Sequence, residues 1–480
     1  MRKLAILLSL FIVGCTSPYP MIDNPGGGSN SAENQQIIDY INQRLSQEYY
    51  WLDEVEEKRG YFNTYQSWDK YLDDALRKLE TNVDDGYLNS KGQRVFYSYI
   101  RELPSTTRAE VMGLGIDLHY TIVVIDSENG YYGFIVENVY PDSPAAAAGI
   151  KRGDIITKIN NGHITAANYV AFFNNIQLNK PANVDLQLLR RAALSKDEEQ
   201  FKVSLNKGAY AETPVIYSEV IEVEGYDKKI GYLVYTGFES EYDEEMLSVL
   251  GGFASEGVQE VILDLRCNGG GSLNSAIKLC SALMPNSYEG GTLCSVTRNP
   301  RNVAHNQETA SIFPLQHTGE VLCLERLTVI CSQNSASASE LVVMGMRGLD
   351  FPVTLIGTTT QGKNCGMDVT RRKIGSKQLE YAPITFMCFN AKGFGDWGNG
   401  IEPDIDLTAN NDFGVKDELY PLPAADWGNA KYDIALAVAL AEVTGKSVSV
   451  GGETRSSTPL TEAVTIEAQF KGICVYVDEQ

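Results

Sequence analysis

The second half of the chain alternates buried strands with helices, and this alternation restricts the fold more than any other feature. Residues 258–265 and 327–332 have the continuous apolar character of buried strands, and Leu273–Leu283 has helical spacing between them. A further strand is predicted at Val353–Gly357. The pattern is typical of an α/β domain, here residues 206–445, in which functional side chains lie in the turns at strand ends.

Two of these turns have unusual sequences. The first strand leads into a glycine-rich loop at residues 264–271, and the second leads into Asn-Ser-Ala-Ser-Ala-Ser-Glu at residues 334–340. The glycine loop lacks the Gly-Lys-Ser/Thr of a P-loop and the Gly-x-Gly-x-x-Gly of a dinucleotide site. Small hydroxyl residues at the start of an apolar helix suit a serine nucleophile.

A serine hydroxyl is a poor nucleophile and needs an adjacent base. The chain has only four histidines: His119, His163, His305 and His317. None of them lies in a strand-end or glycine-loop context of the α/β domain that suggests a base. The sequence therefore disfavours a Ser-His-Asp triad.

Lys363 is the alternative base. It follows the strand Val353–Gly357, has no acidic residue in the five positions before it, and precedes Cys365 and Met367. Lysine is protonated at neutral pH unless apolar surroundings penalise its charge, and these neighbours are suitable. Taken alone, Lys363 fits an ordinary surface lysine in a glycine-containing loop equally well.

Acyl transfer also needs donors for the negative charge that develops on the carbonyl oxygen. The helix predicted after Ser337 would point backbone N–H groups at the site, with the positive end of its dipole behind them. The loop at residues 264–271 could bring a second N–H close, because glycine permits close approach.

Residues 106–205 change character to short strands and turns. They contain Gly-Leu-Gly-Ile, Ser-Pro-Ala-Ala and Gly-Asp-Ile-Ile in that order, at 113–116, 143–146 and 153–156. These sequences resemble a PDZ domain, and the resemblance covers the whole segment. It implies that the backbone N–H groups of Leu114, Gly115 and Ile116 hold the terminal carboxylate of a bound peptide.

Five motifs are decisive for the family. They are Gly-Tyr at 231–232, Asp-Leu-Arg-x-Asn-x-Gly-Gly at 264–271, Ser-Ala-Ser-Ala-Ser-Glu at 335–340, Gly-x-x-Thr-x-Gly-Lys at 357–363 and Gly-Ile-x-Pro-Asp-Ile at 400–405. In sequence and order they resemble the carboxyl-terminal processing (tail-specific) serine peptidases with a PDZ domain, of the Bacteroidetes lipoprotein type. The resemblance covers about residues 106–445.

The resemblance implies an α/β crotonase- or ClpP-like catalytic domain with an inserted or preceding PDZ domain. It also implies Ser337 as nucleophile and Lys363 as general base. The oxyanion hole is implied to come from Gly270, Gly271 and the Ala338 N–H. No cofactor is implied, and no Cys-x-x-Cys or His-x-x-x-His spacing suggests a metal site.

The chain departs from the family pattern in two places. Lys363 follows Ser337 by 26 residues, one more than usual, and the extra residue is expected in the helix-to-strand turn at 347–352, where it should be harmless. Many members carry glutamine four residues after the lysine to orient it, and here that position is Met367. Gln361 lies nearby, on an aromatic position of the pattern. We therefore expect that the dyad suffices alone or that another polar group substitutes.

Residues 1–15 have the features of an export signal. Two basic residues precede the apolar run 4–13, which is too short to span a bilayer. The run leads into Ile-Val-Gly-Cys, which resembles the bacterial lipobox and implies lipidation of Cys15; a signal peptide with a chance cysteine is the alternative. Residues 16–33 are expected to form a flexible tether.

The remaining segments are less informative. Residues 34–105 are expected to form a helical domain, as a packed cap or, alternatively, as a substrate-gripping surface. Residues 446–480 form a tail of unassigned role that is strand-like near 473–477. Eight cysteines follow Cys15, and export permits disulfides, but cysteines in apolar runs, such as Cys323 and Cys474, are expected to be free and buried.

The net charge of −22 argues against non-specific nucleic-acid binding. The sequence thus predicts an envelope peptidase that is lipid-anchored, faces the periplasm and acts on proteins or peptides with exposed C-termini; it does not predict the oligomeric state. The alternative, motivated by Met367, is an inactive family member that binds peptides or apolar ligands. A PDZ scaffold without chemistry does not explain why Ser337, Lys363 and the glycine pair all occur in order.

Overall fold

The computed structural model describes residues 31–89, 92–103, 111–179, 181–191, 198–302, 309–317, 319, 322–408, 426–431, 433–446 and 462–465. The predicted lipidation site Cys15, nearly all of the tether and most of the tail, including the predicted strand at 473–477, lie outside these residues. None of the described helices combines the length and the apolar character that a membrane span requires.

The described residues of the N-terminal segment form three α-helices and three short strands. They are α1 (Ala32–Glu48), α2 (Leu52–Lys58), α3 (Trp68–Leu76), β1 (Tyr87–Leu88), β2 (Arg94–Val95) and β3 (Tyr99–Glu102). Ile37, Ile41 and Leu45 are fully buried along one side of α1, as their helical spacing requires. The expectation of a wholly helical domain over 34–105 is wrong for its last third, because β3 pairs with a strand of the α/β domain.

The middle domain is built mainly of strands. Its elements are β4 (Val111–Gly113), β5 (Ile116–Asp126), β6 (Tyr131–Val139), α4 (Pro144–Ala147), β7 (Ile155–Ile159), β8 (Gly162–His163), α5 (Tyr169–Asn174), β9 (Asn183–Arg191), β10 (Glu198–Asn206) and β11 (Gly208–Tyr210). The main sheet has the order β10-β9-β7-β6-β5, and its core includes Phe134, Val136 and Ile156.

One strand of the C-terminal tail joins this sheet. β24 (Glu462–Thr465) runs antiparallel along the outer edge of β5, with Glu462 opposite Val123 and Thr465 opposite Thr121. The described strand of the tail therefore precedes the one predicted from the sequence near 473–477. The free edge of β5 is covered by the chain itself at these positions.

The α/β domain holds a six-stranded sheet with helices on both faces. Its elements are β12 (Val215–Ile221), β13 (Lys229–Tyr235), α6 (Asp243–Ser255), β14 (Val258–Asp264), α7 (Leu273–Leu283), β17 (Leu327–Cys331), α8 (Ala338–Gly348), β18 (Val353–Gly357), β23 (Ile405–Asp406) and α9 (Ile434–Thr444). The order is β12-β13-β14-β17-β18-β23, parallel from β13 onward.

The strands of this sheet are apolar on both faces because both faces are covered. Leu233 and Tyr235 of β13 pack with α6, α7 and α8, whereas Tyr232 and Val234 point to the opposite face and pack with α9. Such double burial explains the continuous apolar runs that the sequence showed. The parallel order also brings the ends of β14, β17 and β18 to one edge of the sheet, where the two unusual turns meet.

A second group of strands lies outside this sheet. It comprises β15 (Thr292–Arg298), β16 (Ala310–Pro314), β19 (Cys365–Met367), β20 (Thr370–Ile374), β21 (Lys377–Ala382) and β22 (Ile384–Phe389). These form two antiparallel sheets, β16-β15-β22-β19 and β20-β21-β3. The second of them includes β3 of the N-terminal segment, and one apolar cluster joins α1–α3 to residues 365–387.

Candidate active site

Ser337 occupies a strained turn between a strand and a helix. β17 ends at Cys331, α8 begins at Ala338, and Ser337 has φ 58° and ψ −112°. A residue with a Cβ pays about 1–3 kcal/mol for such a conformation, and strain of this kind concentrates at active sites. A sharp strand-to-helix turn is also how α/β-hydrolases present a nucleophilic serine.

The other two serines of the stretch have structural partners. The Ser335 hydroxyl donates to the Leu265 carbonyl at 2.8 Å, and the Ser339 hydroxyl donates to the Asn268 carbonyl at 2.9 Å. Both bonds tie the turn to the glycine loop. Ser335 and Ser339 therefore hold the turn against the glycine loop on both sides of Ser337.

The glycine loop lies directly against this turn. Gly270 has φ 102°, and a Cβ placed on it would lie 2.7 Å from the Ser337 Cβ and 2.9 Å from the Ala338 nitrogen. Gly271 has φ 142°, and a Cβ there would lie 2.1 Å from the Phe238 carbonyl oxygen. Only glycine fits at either position. The structure thus brings together all the residues predicted to form the oxyanion hole.

One of the predicted oxyanion donors is engaged elsewhere. The Gly270 N–H donates to Asn268 Oδ1 at 2.8 Å, while the Asn268 amide donates to the Tyr235 carbonyl at 2.9 Å. Ala338 is the first residue of α8, so its N–H has no intrahelical acceptor. A substrate oxygen that uses Gly270 must first displace the Asn268 side chain.

Lys363 lies in the loop between β18 and β19. Its residue is 3% exposed, and its Nζ has no hydrogen-bond acceptor among the residues that the structure describes. The Nζ lies 4.8 Å from the centroid of the Tyr97 ring. A buried amine that no acceptor holds is a suitable general base, whereas an ordinary surface lysine would be solvated.

Glu340 connects the two turns. Its residue is 1% exposed, and its carboxylate accepts hydrogen bonds from the N–H groups of Ser337, Gly362 and Lys363 at 2.7, 2.6 and 2.8 Å. The Thr360 hydroxyl donates a fourth bond at 2.6 Å. Burial raises the pKa of Glu340, and these four donors oppose that shift. A single carboxylate therefore holds the backbone of Ser337 beside the backbone of Lys363.

The role of Glu340 was not predicted from the sequence, although the residue lies within one of the five motifs. The signal was present, because Ser337 and Glu340 have the Ser-x-x-Glu spacing of a capping box, in which the glutamate reaches back to the N-cap N–H. Tyr97 was missed entirely, and no local pattern marks it. Its contact with Lys363 depends on how the N-terminal segment packs on the α/β domain.

Met367 and Gln361 were the two residues considered for orienting Lys363, and the structure gives them other contacts. Met367 is fully buried in the apolar cluster shared with the N-terminal helices. Gln361 is linked to the site through its backbone N–H, which donates to the Ser335 carbonyl at 3.0 Å. Neither side chain supplies an acceptor to the Lys363 amine among the described residues.

The described histidines have surroundings of their own. Burial and the nearby Arg152 lower the pKa of His119 to about 3, His163 stacks on Tyr131, and His317 pairs with Glu289. His305 lies outside the described residues. None of the described three is placed as a base for Ser337.

The described part shows neither a disulfide nor a cluster of metal ligands. The seven described cysteines lie at positions 267, 280, 294, 323, 331, 365 and 388, and no disulfide joins any two of them. The expectation that Cys323 is buried is wrong, because it is exposed, in a segment outside the helices and strands with φ 51°. Within the described ranges, no group of three or more His, Cys, Asp or Glu could hold a metal ion.

The predicted carboxylate-binding loop lies at the start of β5. Gly115 has φ 79°, and a Cβ there would lie 2.0 Å from the Ser143 Cβ, so the turn requires glycine. Beyond the loop, the Leu118 N–H donates to Gln177 Oε1 at 2.9 Å. Gln177 and β24 therefore both cover parts of the edge to which a peptide strand would add.

The middle domain contacts the glycine loop through buried charges. The Arg152 guanidinium lies 3.7 Å from the centroid of the Trp427 ring and 3.9 Å from Asp433 Oδ2. Arg266 of the glycine loop donates to Asp433 Oδ1 at 2.9 Å. Burial and the charge of Asp117 raise the pKa of Glu137, also at this contact, to about 7.

Comparison with known proteins gives the same two domains. Residues 229–407 match Peptidase family S41, and residues 135–188 match the PDZ domain. A CtpA-like serine protease of Staphylococcus epidermidis is 22% identical over 411 residues, which cover 84% of this chain and 72% of that protein. The carboxy-terminal processing protease CtpA of Bacillus subtilis is 23% identical over 359 residues, which cover 75% of this chain and 66% of that protein.

A solved structure shares the fold. A protein described as an S41 protease from Bacteroides fragilis has a TM-score of 0.66 and 22% identity, over 85% of this chain and 97% of that chain. The family matches fall inside the predicted segments 106–205 and 206–445, and their order along the chain is the predicted one. The comparisons support a member of the carboxyl-terminal processing protease family, with a peptidase S41 match at residues 229–407 and a PDZ match at residues 135–188.

Proposed function

We propose that the chain hydrolyses peptide bonds as an endopeptidase with a dyad of Ser337 and Lys363. The observation that carries the proposal is the Glu340 carboxylate, which binds the backbone N–H groups of both residues within one buried site. The buried amine of Lys363, without an acceptor among the described residues, supports the assignment of the base.

The geometry supports a sequence of proton transfers that needs no cofactor. Lys363 Nζ takes the proton of the Ser337 hydroxyl as the oxygen attacks the substrate carbonyl, and then gives it to the leaving amine. The Ala338 N–H and a glycine N–H of the loop stabilise the oxyanion. Water, activated by the same amine, then releases the acyl group from Ser337.

The substrates proposed are proteins or peptides with exposed C-termini, which the PDZ domain would bind through Leu114, Gly115 and Ile116. The lipobox-like sequence supports anchoring by lipid at Cys15 and a place in the bacterial envelope, facing the periplasm. The layered sheet of the α/β domain supports the crotonase- or ClpP-like assignment.

The test compares purified wild type, Ser337→Ala and Lys363→Ala on an unfolded reporter with an apolar C-terminal tail. Wild type is expected to cleave it, and each variant to lose at least about 1000-fold in kcat. Ser339→Ala is the matched control, because it removes a neighbouring hydroxyl that binds a carbonyl. Cleavage by Ser337→Ala or Lys363→Ala at the wild-type rate rejects the dyad.

A second candidate function is peptide binding without hydrolysis. It is favoured by the Gly270 N–H, which is engaged by Asn268 rather than open to a substrate oxygen. This candidate predicts that wild type binds the reporter tail and leaves it intact under all conditions. Release of peptides by wild type that Ser337→Ala fails to release would exclude it.

A further inference from the structure

The amine of Lys363 needs a group that holds it in place. It ends a flexible side chain, and a base must stay within reach of its hydroxyl to be effective. Within the described residues no acceptor binds it, and the nearby Met367 is fully buried in an apolar cluster. Some other group must limit the positions of Nζ.

We propose that Tyr97, from the N-terminal segment, positions Lys363 with the face of its ring. The inference rests on the proposed role of Lys363 as base. The Nζ lies 4.8 Å from the ring centroid, within the roughly 6 Å over which a ring face attracts an ammonium group. When the amine takes the proton of Ser337 it becomes an ammonium, so the ring stabilises the charge that develops during attack.

The backbone that carries the ring is held firmly. The Tyr97 N–H donates to Asp85 Oδ1 at 3.1 Å, and the same carboxylate accepts from the Ser98 N–H, the Ser98 hydroxyl and the Tyr49 hydroxyl. Asp85 is fully buried. The Ser98 hydroxyl also accepts from the Ile384 N–H of β22 at 2.9 Å, which fixes this turn to the α/β domain. The backbone of Tyr97 is therefore fixed beside the loop that carries Lys363.

A second contact joins the lysine loop to the same segment. Cys365 follows Lys363 by two residues, and its thiol donates to the Asp84 carbonyl at 3.4 Å. Burial raises the pKa of Tyr97 well above its ordinary value, so the phenol stays neutral and attracts the ammonium through the face of its ring. The titratable groups that act on Tyr97 or Lys363 are Cys365, Glu340, Tyr87, Asp85 and Cys388.

This contact gives the N-terminal segment a defined part in the site. The segment positions the base. This role differs from the two roles considered from the sequence, a packed cap and a substrate-gripping surface. The position of Tyr97 also accounts for Met367. Because Met367 packs into the cluster that fixes the segment, it contributes to placing Tyr97 rather than contacting the amine.

The test measures kcat, KM and the pH dependence of kcat/KM for Tyr97→Leu and Tyr97→Phe on the reporter. Tyr97→Leu should lower kcat by about 10-fold with little change in KM. Its acidic limb should move to lower pH by about 0.5–1 unit, because the protonated amine loses the ring. Tyr97→Phe keeps the ring and should restore most of the activity with the limb in its wild-type place.

Tyr87→Leu is the control for packing, since the Tyr87 ring lies 5.9 Å from that of Tyr97, whereas the ring that lies over the amine is that of Tyr97. It should leave the acidic limb unchanged. If Tyr97→Leu matches wild type, or loses kcat while its acidic limb stays in place, the proposal is overturned. Failure of the dyad itself appears separately, as wild-type cleavage by Lys363→Ala.

Discussion

Glu340→Gln keeps the shape of the side chain and removes its charge. The carboxylate now accepts from three backbone N–H groups and the Thr360 hydroxyl. An amide can serve the Ser337 and Lys363 N–H groups with its oxygen, but its nitrogen then faces the Gly362 N–H, which loses its acceptor. The variant therefore separates the charge of Glu340 from its volume.

The expected loss follows from these four bonds. A buried N–H without an acceptor costs about 1–3 kcal/mol, and exchanging a charged acceptor for a neutral one weakens each remaining bond by about 1 kcal/mol. With two weakened bonds, the free energy of unfolding should fall by about 3–5 kcal/mol. Because one of the weakened bonds holds the strained turn at Ser337, the turn should relax, and kcat should fall by about 10–100-fold.

Thermal unfolding and reporter cleavage measure the two effects. Glu260→Gln is the matched control, because Glu260 is also a buried glutamate but pairs with Lys228 and Arg326 at 2.9 and 3.0 Å, away from the two turns. It should lower stability and leave kcat near the wild-type value. Wild-type stability and kcat in Glu340→Gln, or a loss of kcat no larger than that of Glu260→Gln, would refute this role of the carboxylate.

Three further predictions concern the loop, the domain contact and the tail. Gly270→Ala should lower kcat by at least about 100-fold on the reporter, because the new Cβ meets the Ser337 Cβ at 2.7 Å; activity within threefold of wild type would contradict this. The pKa of Glu137 is about 7 in the folded chain, against an ordinary 4.5. The contribution of Glu137 to the free energy of unfolding is therefore fully present below pH 4.5 and is lost as the pH rises through 7. Glu137→Gln should therefore gain about 3 kcal/mol relative to wild type between pH 4.5 and 8 in thermal unfolding, and a constant difference would exclude it. Deleting residues 447–480 in the Ser337→Ala background should tighten the binding of C-terminal peptides, measured by fluorescence anisotropy. The gain is about tenfold if β24 leaves the β5 edge open in roughly one molecule in ten. Unchanged affinity would contradict occlusion of the edge by the tail.

Much of the α/β sheet was predictable because its signal is local. The strands of the parallel sheet are apolar on both faces, and α7 and β18 have the predicted bounds, Leu273–Leu283 and Val353–Gly357. The turns that follow such strands meet at one edge by topology alone. The glycine loop and the serine turn could therefore be placed together from the sequence alone.

The features that were not predicted from the sequence mostly depend on contacts between distant segments of the chain. β3 was not predicted because its partner β21 lies more than 270 residues further along the chain. The same holds for Tyr97 and Lys363, whose contact appears only once the N-terminal segment is packed. The Asn268 side chain on the Gly270 N–H is a local contact, but it depends on a rotamer that the sequence does not specify.

The central claim is that Ser337 carries the acyl group during cleavage. Rapid quenching of the reaction with an activated ester of a short peptide, followed by mass spectrometry of the digested protein, measures this directly. We predict an acyl adduct on the peptide that contains Ser337, formed more slowly in Lys363→Ala and absent in Ser337→Ala. An adduct that forms equally fast in Ser337→Ala, or that maps to another residue, would contradict the claim.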